Sequence, residues 1–340
     1  MSQDQYTLKD IAKVLNLSPS TVSRALRDSH EISEETKRLV LEYATKVNYR
    51  ANPLARGLKE RKSYSIGIVV SEIANNFFSQ VIDGIESVAY HKNYQVVISQ
   101  TNESAERERF HVEHFYSRST DGLLMAMSSE SSDNSYLEGL MARGMPIVFF
   151  DRIPKQVKSH QVITDNKRAA YESVQFLVKK GCKRIAMLSS SKKLSNSQER
   201  LEGFKLGLIA QHLEFDENLV QYCEYGGLKQ SEIDLAIAHF AELDYDGIFL
   251  SGDKLTTGYL QALRNYPKLA KKPIEIVGFT NSNLVDIFSP KITAVRQSAF
   301  EMGKKAAELL IEQIESRGKE VSFKTVVLPV ELIEAGGMTD

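Results

Sequence analysis

The sequence predicts two fold classes in one chain: an N-terminal all-α helix-turn-helix headpiece, and an α/β body of two doubly wound parallel-sheet subdomains. Three observations predict this. The first fifty residues carry three short amphipathic patterns, each with its own helix-start signal. From Tyr64 the pattern changes to short apolar runs separated by amphipathic stretches. The charge divides at the same place: residues 1–62 hold 12 Lys/Arg against 8 Asp/Glu, and the remainder 31 against 36. A basic head on an acidic body suits a protein that meets nucleic acid at one end only, although the whole chain has a formal net charge of −1.

Thr7 can cap a first helix, with Asp10 three residues on as in a capping box and Ile11, Val14 and Leu15 as its apolar stripe. Ser18 caps a second helix with Pro19 at its first position, where a missing N–H costs nothing. Val22, Ala25 and Leu26 face inward there; Ser20, Thr21, Ser23, Arg24 and Arg27 face outward. A third helix starts at Ser33, places Glu34 and Glu35 in its electropositive first turn, and buries Leu39, Val40, Tyr43, Ala44 and Val47. Two short helices joined by a tight turn and braced by a third is the helix-turn-helix layout. In it Thr21 and Ser23 suit phosphates and Arg24 is long enough for a guanine edge. Periodicity alone leaves a three-helix interaction domain open.

The residues narrow this. Thr7-Leu8-Lys9-Asp10-Ile11-Ala12, then Ser18 to Leu26, Ile32-Ser33 and Asn48-Tyr49 resemble the headpiece of the LacI/GalR family of bacterial repressors. The resemblance implies that Pro19, Ser20 and Arg24 occupy the base-reading positions of a protein that binds double-stranded operator DNA. Pro19 has no donor and Ser20 is short, so Arg24 carries most of the direct readout. Residues 51–62 form a hinge, read from composition as a short basic linker that Asn52 and Pro53 could start as a helix. Eight residues including Gly57 are too few to stay helical alone. The resemblance implies a second state, in which paired hinge helices enter the minor groove. Leu58 matches the leucine wedged between base steps, with Ala55 allowing close approach and Lys59 beside the groove. Packing of Leu58 on the headpiece is the alternative.

In the body, residues 63–340, strand-like runs lie at 65–70, 94–99, 122–126, 146–150, 184–188, 247–250 and 275–279. Helical stretches such as 77–90, 167–180 and 201–211 fall between them. Apolar strands separated by helices imply parallel sheets covered on both faces, here too many strands for one sheet. The expected subdomains are 63–161 plus 291–320, and 162–290 plus 321–340, with a ligand in the cleft at the strand carboxyl ends. The order of local strings resembles the periplasmic-binding-protein-like body of the same family. These are Asn75-Asn76-Phe77-Phe78 (Asn76 standing where proline is usual), Asp151, Asp165-Asn166, Arg200 to Phe204, Val277-Gly278-Phe279, Thr293 to Gln297 and Leu328 to Ile333. It implies that Asn75, Phe77 and Phe78 line one wall, Asp151 lies on the hinge side, and Arg200 reaches in from the second subdomain. Core packing is the alternative for the two phenylalanines, a turn for Asp151 and a helix cap for Asp165. Gly252 and Thr280 depart from the Asn and Asp common in the family, leaving Asp253, Thr280 and Asn281 as polar substitutes. A carbohydrate effector is expected first, a purine or nucleoside second.

No Gly-x-Gly-x-x-Gly or P-loop follows a strand, Ser189-Ser190-Ser191 lacks a neighbouring base, and His111 and His114 sit among charged residues that suit a solvated face. No catalytic residue, cofactor or metal site is therefore expected. A sugar-binding transport protein would share the body; the headpiece and the polar N-terminus, without a secretory apolar stretch, argue against it. Cys182 and Cys223 lack metal-ligand spacing and suit idle thiols in a cytoplasmic protein. No apolar run is long enough to cross a bilayer. A homodimer is expected, because one headpiece reads too few base pairs to be selective.

Overall fold

The computed structural model describes residues 6–26, 28–49, 62–316 and 322–334. The chain divides into two compact units, 1–63 and 64–340. In the first, α1 (Leu8–Val14), α2 (Pro19–Ala25) and α3 (Glu34–Lys46) enclose a small core of Ile11, Ala12, Val22, Ala25, Val40 and Ala44. Each start is a side-chain cap. Thr7 and Asp10 form the capping box, Ser18 accepts from Thr21 N with Pro19 inside the first turn, and Ser33 accepts from Thr36 N. The turn after α1 passes through Asn16 at φ +52, a left-handed position that asparagine tolerates. Two expectations are corrected: Val14 and Leu39 are about half exposed (56% and 47%). At 100° per residue, Leu39 falls a full step round α3 from Val40, which holds the core face with Ala44.

The body contains two six-stranded sheets. The first, in the order β11-β5-β4-β3-β1-β2, is parallel throughout. Its strands are β1 (Ser65–Val70), β2 (Gln95–Gln100), β3 (Gly122–Met125), β4 (Ile147–Phe150), β5 (His160–Thr164) and β11 (Thr325–Leu328). The second runs β12-β10-β9-β8-β6-β7, all parallel except the β10–β12 pair. Its strands are β6 (Ile185–Ser190), β7 (Val220–Cys223), β8 (Gly247–Leu250), β9 (Glu275–Phe279), β10 (Thr293–Gln297) and β12 (Val330–Glu334).

Alternate residues of a strand face opposite sides, so each sheet feeds two cores. Ile66, Ile68 and Val70 of β1 pack with α4 (Asn76–His91). Val69, with Leu123 and Met125 of β3, joins the core under α5 (Ala105–Ser117) and α6 (Ser135–Ala142). The second sheet is likewise covered. On one side lie α7 (Asn166–Lys179) and α8 (Ser195–Ala210); on the other α9 (Gln230–Ala241), α10 (Asp253–Ala262) and the short α11 (Pro267–Ala270). The last helix, α12 (Ala299–Glu315), returns to the first sheet and lies against α4. Glycine makes that approach possible: a Cβ on Gly84 would sit 2.0 Å from Phe300 O, and one on Gly303 1.9 Å from Val81 O.

The subdomain boundaries differ from those expected. β10 belongs to the second sheet because Thr293–Val295 pairs with Val277–Phe279, and β11 to the first because Thr325–Leu328 pairs with Gln161–Thr164. The chain therefore crosses between subdomains three times, between β5 and α7, β10 and α12, and β11 and β12. The crossings are laced together. Gln297 Nε2 donates to Thr164 Oγ1 (2.8 Å), Asp165 N to Leu328 O (3.0 Å) and Ser298 Oγ to Pro329 O (3.1 Å).

Candidate functional site

On the head, the predicted contact residues gather around the start and outer face of α2. Pro19, Ser20 and Arg24 are exposed; Thr21 and Ser23 are half-buried. The Ser18 hydroxyl lies 2.8 Å from those of both Ser20 and Thr21, so the three present one hydrogen-bonded cluster at the helix N-terminus. Hydroxyls gathered there suit a phosphate. Arg24 Nη1 pairs with Glu31 Oε2 at 2.8 Å. Thr7 is occupied by its capping box, its hydroxyl 2.6 Å from Asp10 Oδ2. Tyr49 packs its ring against the head core, and burial raises its phenol pKa. Arg27, Asn52, Ala55, Leu58 and Lys59 lie outside the described residues.

In the body, the carboxyl ends of strands from both sheets bring polar residues together, as expected for doubly wound sheets. Asp151 follows β4 in a left-handed conformation (φ +55) and is buried. Its carboxylate accepts from Asn196 Nδ2 at 3.2 Å and lies 3.5 Å from Gln297 Nε2. The residue after it, Arg152, donates to Glu103 Oε1 at 2.6 Å; Glu103 also accepts from Ser129 N at 2.7 Å. Burial would lower the Arg152 pKa, but the Glu103 and Asp151 carboxylates outweigh it and the net shift is upward.

Arg200, on α8, is 4% exposed. Its Nε donates to Asn166 Oδ1 (2.8 Å), its Nη1 to Ser251 O (2.5 Å), and the guanidinium lies over the Phe279 ring, 3.7 Å from its centre. Burial lowers its pKa to about 10, with Asp151 acting in the opposite direction, so it is a cation at neutral pH. Asp253 accepts from Thr280 Oγ1 (2.7 Å) and Asn281 N (3.1 Å), so these substitutes for the missing anchors are bonded to one another.

Asn75 caps α4, accepting from Phe77 N and Phe78 N. Phe77 and Phe78 are 3% and 2% exposed and lie in the first subdomain's core, as their alternative reading had it. Asp165 is the cap of α7, accepting from Arg168 N. The two subdomains touch directly across the cleft. Gln80 Nε2 donates to the main-chain carbonyl of Asn281 (3.0 Å) and Asn281 Nδ2 to Gln80 Oε1 (2.8 Å), Lys254 pairs with Glu72 (3.1 Å), and Ile153 N donates to Ser195 Oγ (3.1 Å).

Sequence reasoning did not single out Glu72, Gln80, Glu103, Arg152 or Asn196. A signal existed for three of them: Glu72, Glu103 and Arg152 stand within three residues of the end of an apolar strand, where a parallel sheet meets its ligands. Four side chains here keep a buried polar atom without a hydrogen-bond partner, namely Glu72 Oε2, Arg152 Nε, Asn196 Oδ1 and Arg200 Nη2. They include donors and acceptors, and they come from both subdomains. Buried polar groups are seldom left unpaired, so a cluster of them points to a polar guest.

A helix-turn-helix head and a two-lobed α/β body with a polar cleft define the class: a DNA-binding transcriptional regulator with a ligand-binding domain. The model of "Bacterial regulatory proteins, lacI family" matches residues 7–52, and that of a periplasmic binding protein domain matches 66–320. The HTH-type transcriptional regulator RegA of Clostridium saccharobutylicum is 30% identical over 331 residues, 96% of this chain and 98% of RegA. The HTH-type transcriptional repressor PurR of Vibrio cholerae is 27% identical over 338 residues, 98% of each chain. Among solved structures, a candidate ribose operon repressor from Burkholderia thailandensis matches with a TM-score of 0.72 at 30% identity, over 80% of this chain and 100% of that one. The Lac repressor dimer bound to operator shares the fold, with a TM-score of 0.81 at 20% identity over 97% and 98% of the two chains. This chain belongs to the LacI family of bacterial transcriptional regulators, a family of regulators rather than enzymes. No helix among the described residues is long and apolar enough to cross a membrane.

Proposed function

We propose that this protein is a homodimeric repressor that reads an operator with paired headpieces and hinge segments, and that a carbohydrate in the body's cleft controls its affinity for DNA. The observation that carries the effector class is the set of unpaired buried donors and acceptors around Asp151, Arg152, Asn196 and Arg200. Hydroxyls both donate and accept, so a sugar can satisfy such a set from several directions. A purine gains more from a stacking face, and Phe77 and Phe78 are already committed to the core. The relatives' names divide between the two, since a ribose operon repressor and PurR both resemble this chain. Dimerisation is supported by the operator-bound Lac repressor dimer of the same fold.

Titrating operator affinity against a panel of sugars and purine bases tests this reading. A response to sugars supports it, a response only to purines replaces the effector class, and no response to either removes the regulatory half. With the responding compound, Arg200→Lys is expected to weaken its binding about 10- to 100-fold while leaving effector-free operator affinity unchanged. Lysine keeps the charge near Asp151 but cannot hold Asn166, Ser251 and a guest together. On the head, Arg24→Ala is expected to cost roughly 1–3 kcal/mol of operator binding and to relax base preference at one position per half-site. Selection of binding sites from random DNA by the two proteins measures that change.

A further inference from the structure

The three crossings leave or enter strands at one edge of each sheet: β11 and β5 in the first, β12 and β10 in the second. Glu72 and Lys254 stand away from those edges. Glu72 follows β1, three strands along from β5, and Lys254 lies in the first turn of α10 after β8, two strands along from β10. At one strand spacing each, the pair lies roughly 10–15 Å to the side of the crossings. There Lys254 Nζ meets Glu72 Oε1 at 3.1 Å, with the two side chains 32% and 18% exposed. Glu72 Oε2 is buried without a hydrogen-bond partner, so the carboxylate is steadied by Lys254. The turn after β7 backs the lysine: at Gly227 (φ +91) a Cβ would lie 3.1 Å from Lys254 Cβ. A side chain supported from behind loses less freedom on pairing than one in open solvent.

We propose that Glu72 and Lys254 form an electrostatic latch at the rim of the cleft, and that the lobes part to admit or release a guest only when this pair breaks. Rotation about the crossings moves a contact in proportion to its distance from them. A turn of about 10° carries the pair about 2 Å apart, enough to break it, while contacts at the crossings themselves, such as Gln297 to Thr164, persist. The latch therefore adds its energy to the cost of opening and leaves the closed cleft unaltered. Because it is a bond between charges, it weakens as ionic strength rises. Its bearing on regulation rests on the cleft being the effector site, which is decided separately by the titration with sugars and purines.

The amide of Ile153, which donates to Ser195 Oγ of the other lobe, reports separation of the lobes without any effector. Its hydrogen exchange is followed by mass spectrometry on the full-length protein at neutral pH. In the wild type it is expected to exchange faster than the core amides of β1, because parting the lobes costs less than unfolding. Glu72→Gln and Lys254→Gln are each expected to speed exchange at Ile153 about two- to fivefold. The double variant is expected to be no faster than either single one, since the same bond is lost only once. High salt is expected to speed the wild type and to leave Glu72→Gln unchanged. Unaltered exchange at Ile153 in both single variants overturns the latch. So do additive effects in the double variant, or a salt response that survives Glu72→Gln. A wild-type Ile153 no faster than the β1 core overturns it as well, because the lobes would then not part short of unfolding. None of these outcomes touches the effector class, since no effector is present.

Discussion

Glu103→Ala is expected to destabilise the body by about 3–5 kcal/mol, read as a fall in its urea midpoint. Glu103 and Arg152 form a buried pair, with side chains only 2% and 11% exposed and 2.6 Å between them. Forming such a pair yields little net stability, since both ions lose their water. Removing one partner is another matter, because it strands the other charge in a poor dielectric. Asp151 Oδ2, 3.7 Å from Arg152 Nε, recovers only part of the loss. The deletion also frees Ser129 N, which Glu103 anchors at 2.7 Å. The double variant Glu103→Ala/Arg152→Met tests the cause. It is expected to be more stable than Glu103→Ala alone, because the uncompensated charge is gone. If the two effects simply add, the stranded charge is not the reason.

Gly303→Ala is the second large effect, and its sign is informative. Replacing a helical glycine with alanine normally stabilises by about 1 kcal/mol, because alanine restricts the unfolded chain and favours helix. Here the added methyl would lie 1.9 Å from the carbonyl oxygen of Val81, a backbone atom that cannot swing aside. The helices α4 and α12 would have to separate, and with them the core holding Phe77, Val81, Ile85, Met302 and Ala306. A net loss of about 1–3 kcal/mol is expected, in spite of the propensity gain. Gly139→Ala on α6 is the control: its Cβ would meet nothing closer than Arg143 Nη1 at 3.6 Å. That variant is expected to gain up to about 1 kcal/mol. Thermal unfolding of the three proteins compares the two sites directly.

How far the sequence alone could be read depended on the range of the interaction involved. The starts of α1, α2 and α3 were legible because Thr7–Asp10, Ser18–Thr21 and Ser33–Thr36 act over three residues. β1, β8 and β9 were legible to the residue, since each is an apolar run bounded by polar sequence. The start of α8 at Ser195 was not, because the polar stretch Ser195–Arg200 carries no apolar stripe to announce a helix. Subdomain membership was least legible of all. Whether Thr325–Leu328 joins the first sheet or the second is decided by pairing with Gln161–Thr164, more than 150 residues away. The cleft followed the same rule. Asp151 and Arg200 could be named from local strings, while Asn196 acquires meaning only through Asp151, 45 residues away in the chain.

The threefold crossing of the chain also bears on its synthesis. β11 completes the first sheet and β12 the second, and both come from the segment 325–334. A nascent chain still lacking those ten residues leaves β5 and β10 as open edges in two different sheets, each a template for stray pairing. Neither lobe can finish ahead of the other, so the body is expected to reach its final form in one late step rather than lobe by lobe as it leaves the ribosome.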